Sequence, residues 1–96
     1  MILGYKETVK SYYDEDFKLA LIIPGFAYYA NYEESDENAN TIIYNAKNEL
    51  VCDNYFANND LMNTLEKIYN GEIVPDYISP EMQENFDLLK EDGFFE

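Results

Sequence analysis

Residues 17 to 32 constrain the fold more than any other stretch of this chain. Phe17, Leu19, Leu21 and Ile23 alternate with Lys18, Ala20 and Ile22, the period-two pattern of a strand with one well-buried face. Pro24-Gly25 then breaks the run with a turn-favouring pair. Phe26 to Tyr32 resumes it with aromatics placed to pair back as the next strand. A paired apolar unit of this kind needs further strands and a covering layer.

The rest of the sequence supplies both. Thr41 to Tyr44 and Glu49 to Cys52 are β-prone runs flanking Asn45-Ala46-Lys47-Asn48, a hairpin loop in which Asn tolerates positive φ. Residues 33–40 hold no large apolar side chain and read as a solvated loop, and Ile2 to Tyr13 fits either a strand or a short helix. The second half is helical. Asn58 or Asn59 is placed to cap a helix carrying Leu61, Met62, Leu65, Ile68 and Tyr69, with Asn70-Gly71 as its stop. Glu72 to Ile78, interrupted by Pro75, reads as a linker or short extended piece. Ser79-Pro80-Glu81 opens a second helix with an N-cap, a proline at the first helical position and an acid at the positive dipole end. Met82, Phe86 and Leu89 form its buried stripe, Gly93 ends it, and Phe94 and Phe95 are expected to return to the sheet. The expectation is one α+β domain over residues 1–96, a small antiparallel sheet of about three to five strands followed by two helices.

Charge narrows the function. The chain has 20 acidic residues against 6 basic ones, all Lys, with no His and no Trp, for a net charge of −14 over 96 residues. Such a surface repels nucleic acid and anionic lipid and attracts basic protein grooves. Without Arg or His the chain lacks the usual phosphate clamps, proton shuttles and nitrogen metal ligands. Direct nucleic-acid binding needs clustered basic residues, and the six Lys are dispersed. No run approaches the roughly 20 apolar residues that span a bilayer, and Met1 to Lys10 lacks the pattern of a signal peptide. Cys52 is the single cysteine, so no internal disulfide forms and a cytoplasmic home is expected.

Chemistry finds little to work with. Asp36, Asn38 and Asn40 have the alternating spacing of a calcium loop, but Thr41 and Lys47 stand where its glycine and bidentate glutamate belong. Zinc would have one Cys and no His. Cys52, Ser11, Ser35 and Ser79 have no His to activate them. The glycines are scattered and make no phosphate loop. The reading is a non-enzyme with no cofactor and no metal.

The acids themselves are patterned. Glu81, Glu84, Asp87 and Glu91 recur at spacings of three, three and four, which puts them on one helical face, with neighbours about 5–6 Å apart. Like charges so placed cost the helix a few tenths of a kcal/mol each, so the stripe does not serve helix stability. Its spacing is comparable with that of phosphates along one nucleic-acid strand. Asp14, Glu15 and Asp16 form a second group, and Glu33, Glu34, Asp36 and Glu37 a third. Tyr28, Tyr29 and Tyr32 stand next to the third group as aromatic anchors for a partner.

In short length, −14 charge, absence of Arg and His and these acid groups, the chain resembles the small acidic inhibitors of bacteriophages and other mobile elements, including DNA-mimic anti-restriction and anti-CRISPR proteins. The resemblance covers the whole chain as a composition and no part of it as a motif. It implies a folded inhibitor, acting in the cytoplasm of the host cell, that occupies a basic nucleic-acid channel or blocks assembly of its target. Many such proteins form homodimers. Two other classes fit the same sequence: an antitoxin- or immunity-type partner of a basic toxin, and a structural accessory domain whose charge only solubilises it.

Overall fold

The computed structural model describes residues 4–10, 16–31, 40–52 and 54–95, with 54–58 as backbone only. Its elements run β1 (Thr8–Lys10), β2 (Asp16–Ile23), β3 (Phe26–Asn31), β4 (Asn40–Asn45), β5 (Leu50–Cys52), α1 (Asn54–Tyr69), β6 (Tyr77–Ile78) and α2 (Pro80–Glu91). The fold is α+β, an antiparallel sheet followed by two helices, as the sequence predicts. Strands β1 to β5 are adjacent in chain order, and β6 adds a sixth by pairing with β2. β1 covers the outer side of β2 at Asp16–Lys18, and β6 takes over at Leu21 and Ile22.

Local sequence sets the turns. Gly25 sits at φ 90 after Pro24, and Ile23 faces Phe26 across this tight connection. A proline with preset φ followed by a glycine at positive φ is the pairing a type II turn requires. At the β4–β5 hairpin, Asn48 takes φ 61, and the Asn45 side chain accepts from the backbone N–H of Lys47 (2.9 Å) and Glu49 (3.1 Å). Asn supplies both devices, the left-handed conformation and the side-chain turn.

One strand departs from the simple alternation. Leu19 pairs with Tyr29 but Leu21 pairs with Tyr28, so Ala20 is an extra residue, a β-bulge. Side chains on either side of it change face. Phe17, Leu19 and Ile22 join Tyr5, Val9, Ala27, Tyr29 and Ile42 in one core. Ala20, Leu21 and Ile23 join Tyr28, Ala30 and Ile43 in another, which receives Leu61, Leu65, Met82, Phe86 and Leu89 from the helices. The expected single buried face through Phe17, Leu19, Leu21 and Ile23 is therefore corrected. A run with almost no polar residue can bury both sides, and period two does not locate the switch.

Both helices end alike. After α1, Gly71 stands at φ 80, its N–H bonds to Ile68 O (3.1 Å), and the Glu72 N–H reaches Lys67 O (2.8 Å). After α2, Gly93 stands at φ 72, with Gly93 N–H to Lys90 O (3.1 Å) and Phe94 N–H to Leu89 O (3.0 Å). These are Schellman motifs, which satisfy the last carbonyls of a helix and favour glycine at the left-handed position. At the start of α2, Ser79 Oγ accepts from the Met82 N–H at 3.1 Å, with Pro80 at the first helical position. α1 starts at Asn54, ahead of the expected caps Asn58 and Asn59.

The C-terminal aromatics divide. Phe95 stacks on Tyr69 (5.2 Å, 22°), lies 5.4 Å from Phe86 and packs partly buried against the core between sheet and helices, whereas Phe94 is exposed. Cys52 is in β5 as expected and is partly buried against the helix-side core. Among the described residues no helix is long and apolar enough to cross a membrane.

Candidate protein-binding surface

α2 separates its chemistry cleanly. Met82, Asn85, Phe86 and Leu89 are buried, while Glu81, Glu84, Asp87 and Glu91 are all exposed. At about 100° per residue the acids lie opposite the buried stripe, along roughly 15 Å of axis. Leu88, half-buried, lies at the margin between the two faces. Asn85 is the odd member of the inner face: its amide reaches only Met82 Sδ at 3.8 Å, and its Oδ1 has no protein partner among the described residues.

The four acids are not equivalent. Lys90 Nζ lies 3.1 Å from an Asp87 oxygen, and Gln83 Nε2 donates to the same carboxylate at 3.1 Å. The bonds from Lys90 and then Gln83 hold the Asp87 carboxyl below its ordinary value. Glu81, Glu84 and Glu91 have no ion pair among the described residues. Their negative charge is therefore the part of the stripe that is available to a partner.

The other acid groups contribute one described member. Asp16 is exposed at the start of β2 and paired with Lys10 at 3.3 Å. Asp14, Glu15, Tyr32, Glu33, Glu34, Asp36 and Glu37 lie outside the described residues, as does most of the calcium-like spacing at Asp36 and Asn38.

Tyr28 and Tyr29 do not serve as surface anchors. Tyr28 is 5% exposed and Tyr29 0% exposed, because both faces of β3 are covered. Tyr28 Oη and Thr64 Oγ1 share a buried hydrogen bond of 2.8 Å that ties the sheet to α1. Tyr29 Oη donates to Lys6 O at 2.6 Å, and its ring meets Tyr44 edge-on at 5.4 Å. Burial pushes the Tyr28 hydroxyl above its ordinary pKa, and burial pushes that of Tyr29 up to about 12.

Other aromatics occupy the surface instead. Phe94 is 53% exposed and Tyr69 is 41% exposed, the two bridged by Phe95, which meets Phe94 edge-on at 5.2 Å. The sequence assigned Tyr69 to the buried stripe of α1 and expected Phe94 to return to the sheet. The residue after a left-handed helix-stop glycine commonly packs back on the last turn, so the local sequence carried no signal for the exposure of Phe94.

Two open depressions flank these elements. One, of about 360 Å³, lies between Glu7, Thr8, Lys18, Leu19, Tyr77 and the start of α2. The other, of about 300 Å³, lies between Phe26, Val51 and the Asp60, Thr64 and Lys67 side of α1. Ser79 Oγ in the first accepts from the Met82 N–H, and Thr64 Oγ1 in the second is bonded to Tyr28; no group of three metal-ligating side chains occurs among the described residues. No protein-family model matches the chain, and no curated protein or solved structure is significantly similar to it.

Proposed function

We propose that this chain is a non-enzymatic, acidic binding protein that inhibits a nucleic-acid-processing enzyme of bacterial defence or host metabolism by occupying its basic surface. The observation that carries the reading is the solvent face of α2, where Glu81, Glu84 and Glu91 stand exposed and unpaired among the described residues. Carboxylates in such a row pair with Lys and Arg that otherwise hold phosphates. The net charge of −14 adds long-range attraction, which raises association rates and makes binding salt-dependent. Only Glu81, in the first turn, favours the helix; like charges three and four residues apart repel, so helix stability does not account for the row.

The test is the triple reversal of Glu81, Glu84 and Glu91 to Lys. Losing Glu81 from the first turn costs about 0.3–1 kcal/mol of helix stabilisation, so the variant should fold. Used as bait at low and moderate salt, the wild-type protein should retain a nucleic-acid-binding enzyme that excess duplex DNA releases. The triple variant should retain none of it. Equal retention by both proteins would refute the reading, and retention indifferent to DNA would favour an immunity-type partner.

A further inference from the structure

The acidic face lacks the apolar anchor that high-affinity recognition uses, and the buried Tyr28 and Tyr29 do not supply one. Such an anchor exists where the two helices end. α1 finishes at Tyr69 and α2 runs out into Phe94, and Phe95, in contact with both rings, joins them into one cluster. The cluster is held in place: Phe94 by its backbone bond to Leu89 (3.0 Å), Phe95 by Phe86 and Tyr69.

Its surroundings select a cation. Glu91 and Asp92 lie three and two residues before Phe94, are exposed and have no ion pair among the described residues. Two helix C-termini converge there, each the negative end of a macrodipole. The same helix already shows the chemistry in miniature. Lys90 Nζ lies 4.8 Å from the Phe86 ring centroid and 3.1 Å from an Asp87 oxygen, one cation held by a ring and a carboxylate together. Phe94 and Tyr69, with Glu91 and Asp92, offer that combination outward. A guanidinium suits it better than an ammonium, because it is less strongly hydrated, stacks flat on an aromatic face and forks onto a carboxylate.

We propose that the Tyr69–Phe95–Phe94 cluster with Glu91 and Asp92 is an arginine-docking patch, the anchor point for an Arg-bearing basic protein surface. This rests on the acidic-binding reading and adds to it the side chain that the partner presents.

The probe is a pair of peptides of equal length, one of arginine and one of lysine, titrated into the full chain at physiological salt. Absolute affinity reports the carboxylates, and the arginine-to-lysine affinity ratio reports the rings. Loss of a cation–π contact at a surface site lowers affinity about fivefold. Phe94→Leu, which keeps the apolar bulk and removes the aromatic face, should therefore cut the ratio by about that factor, with an unchanged thermal transition. Phe26→Leu, at another exposed ring, should leave it unchanged. A ratio that Phe94→Leu does not alter overturns the proposal. So does a concentration-dependent dimer that Phe94→Asp dissociates, since the patch would then belong to a second copy. If Glu81 and Glu84 reversed to Lys, neither of which belongs to the patch, leave both affinities intact, the acidic-stripe reading fails instead, and the ratio still reports on Phe94.

Discussion

The Tyr28–Thr64 hydrogen bond allows a quantitative test of how the sheet is fixed to α1. It is buried, 2.8 Å long, and joins residues 36 apart in sequence. A typical intramolecular hydrogen bond contributes about 0.5–1.5 kcal/mol net, and stranding a buried partner costs about 1–3 kcal/mol. Tyr28→Phe strands Thr64 Oγ1, although a helical Thr hydroxyl can turn to the preceding carbonyl. The expected loss is therefore near the bottom of that range, about 1.5 kcal/mol. Thr64→Val keeps the shape, strands the phenol and should cost about the same. The double variant removes both polar atoms and should be no less stable than either single one, a coupling of about 1.5 kcal/mol or more. In a domain of this size each single change lowers Tm by about 6–12 °C. Urea unfolding followed by circular dichroism on the four proteins closes the cycle. A coupling under about 0.3 kcal/mol, the level at which independent sites simply add, would refute the argument. Tyr28 would then contribute only its ring.

Two further outcomes follow from the same core. Burial raises the Tyr29 pKa from 10.0 to about 12, so the folded state favours the neutral phenol. That contribution is complete below pH 10 and lost as pH rises through about 12; alkaline unfolding should track tyrosinate absorbance in this window, and Tyr29→Phe should shift it upward. Deleting Ala20 removes the bulge but leaves Leu19 opposite Tyr29 and Leu21 opposite Tyr28, each on its present face. The deletion variant loses the Ser79 N–H to Ala20 O bond and should be less stable yet still unfold cooperatively by circular dichroism, whereas one residue inserted after Leu21 sends Ile22 and Ile23 to the wrong faces and should abolish the cooperative transition.

What the sequence made legible was short-range chemistry. Ser79-Pro80-Glu81, Asn45 to Asn48, Pro24-Gly25 and the two glycine stops each carry their mechanism within a few residues, and each is found where expected. The exposure of the α2 acids was legible for a related reason, because a 3.6-residue period assigns faces once one face is known to be buried. The bulge at Ala20 was not, since Leu19 to Ile23 contains no polar residue to mark the change of side. Tyr28 and Tyr29 were misplaced for the same reason. Which sides of a strand are covered depends on long-range neighbours, here Thr64 on α1 and Lys6 ahead of β1. The aromatic patch was hidden because Tyr69 and Phe94 are far apart in sequence and meet only through Phe95.

The position of β6 has a mechanical consequence. Its two residues lie between the helices in the chain yet complete the outer side of β2, with Asp76 N–H bonded to Ile22 O (2.7 Å) and Ser79 N–H to Ala20 O (2.8 Å). Sheet and helices are thereby stitched together rather than merely stacked. A pull on either helix is passed through this two-residue strand to the centre of the sheet, so the two layers resist force as one body.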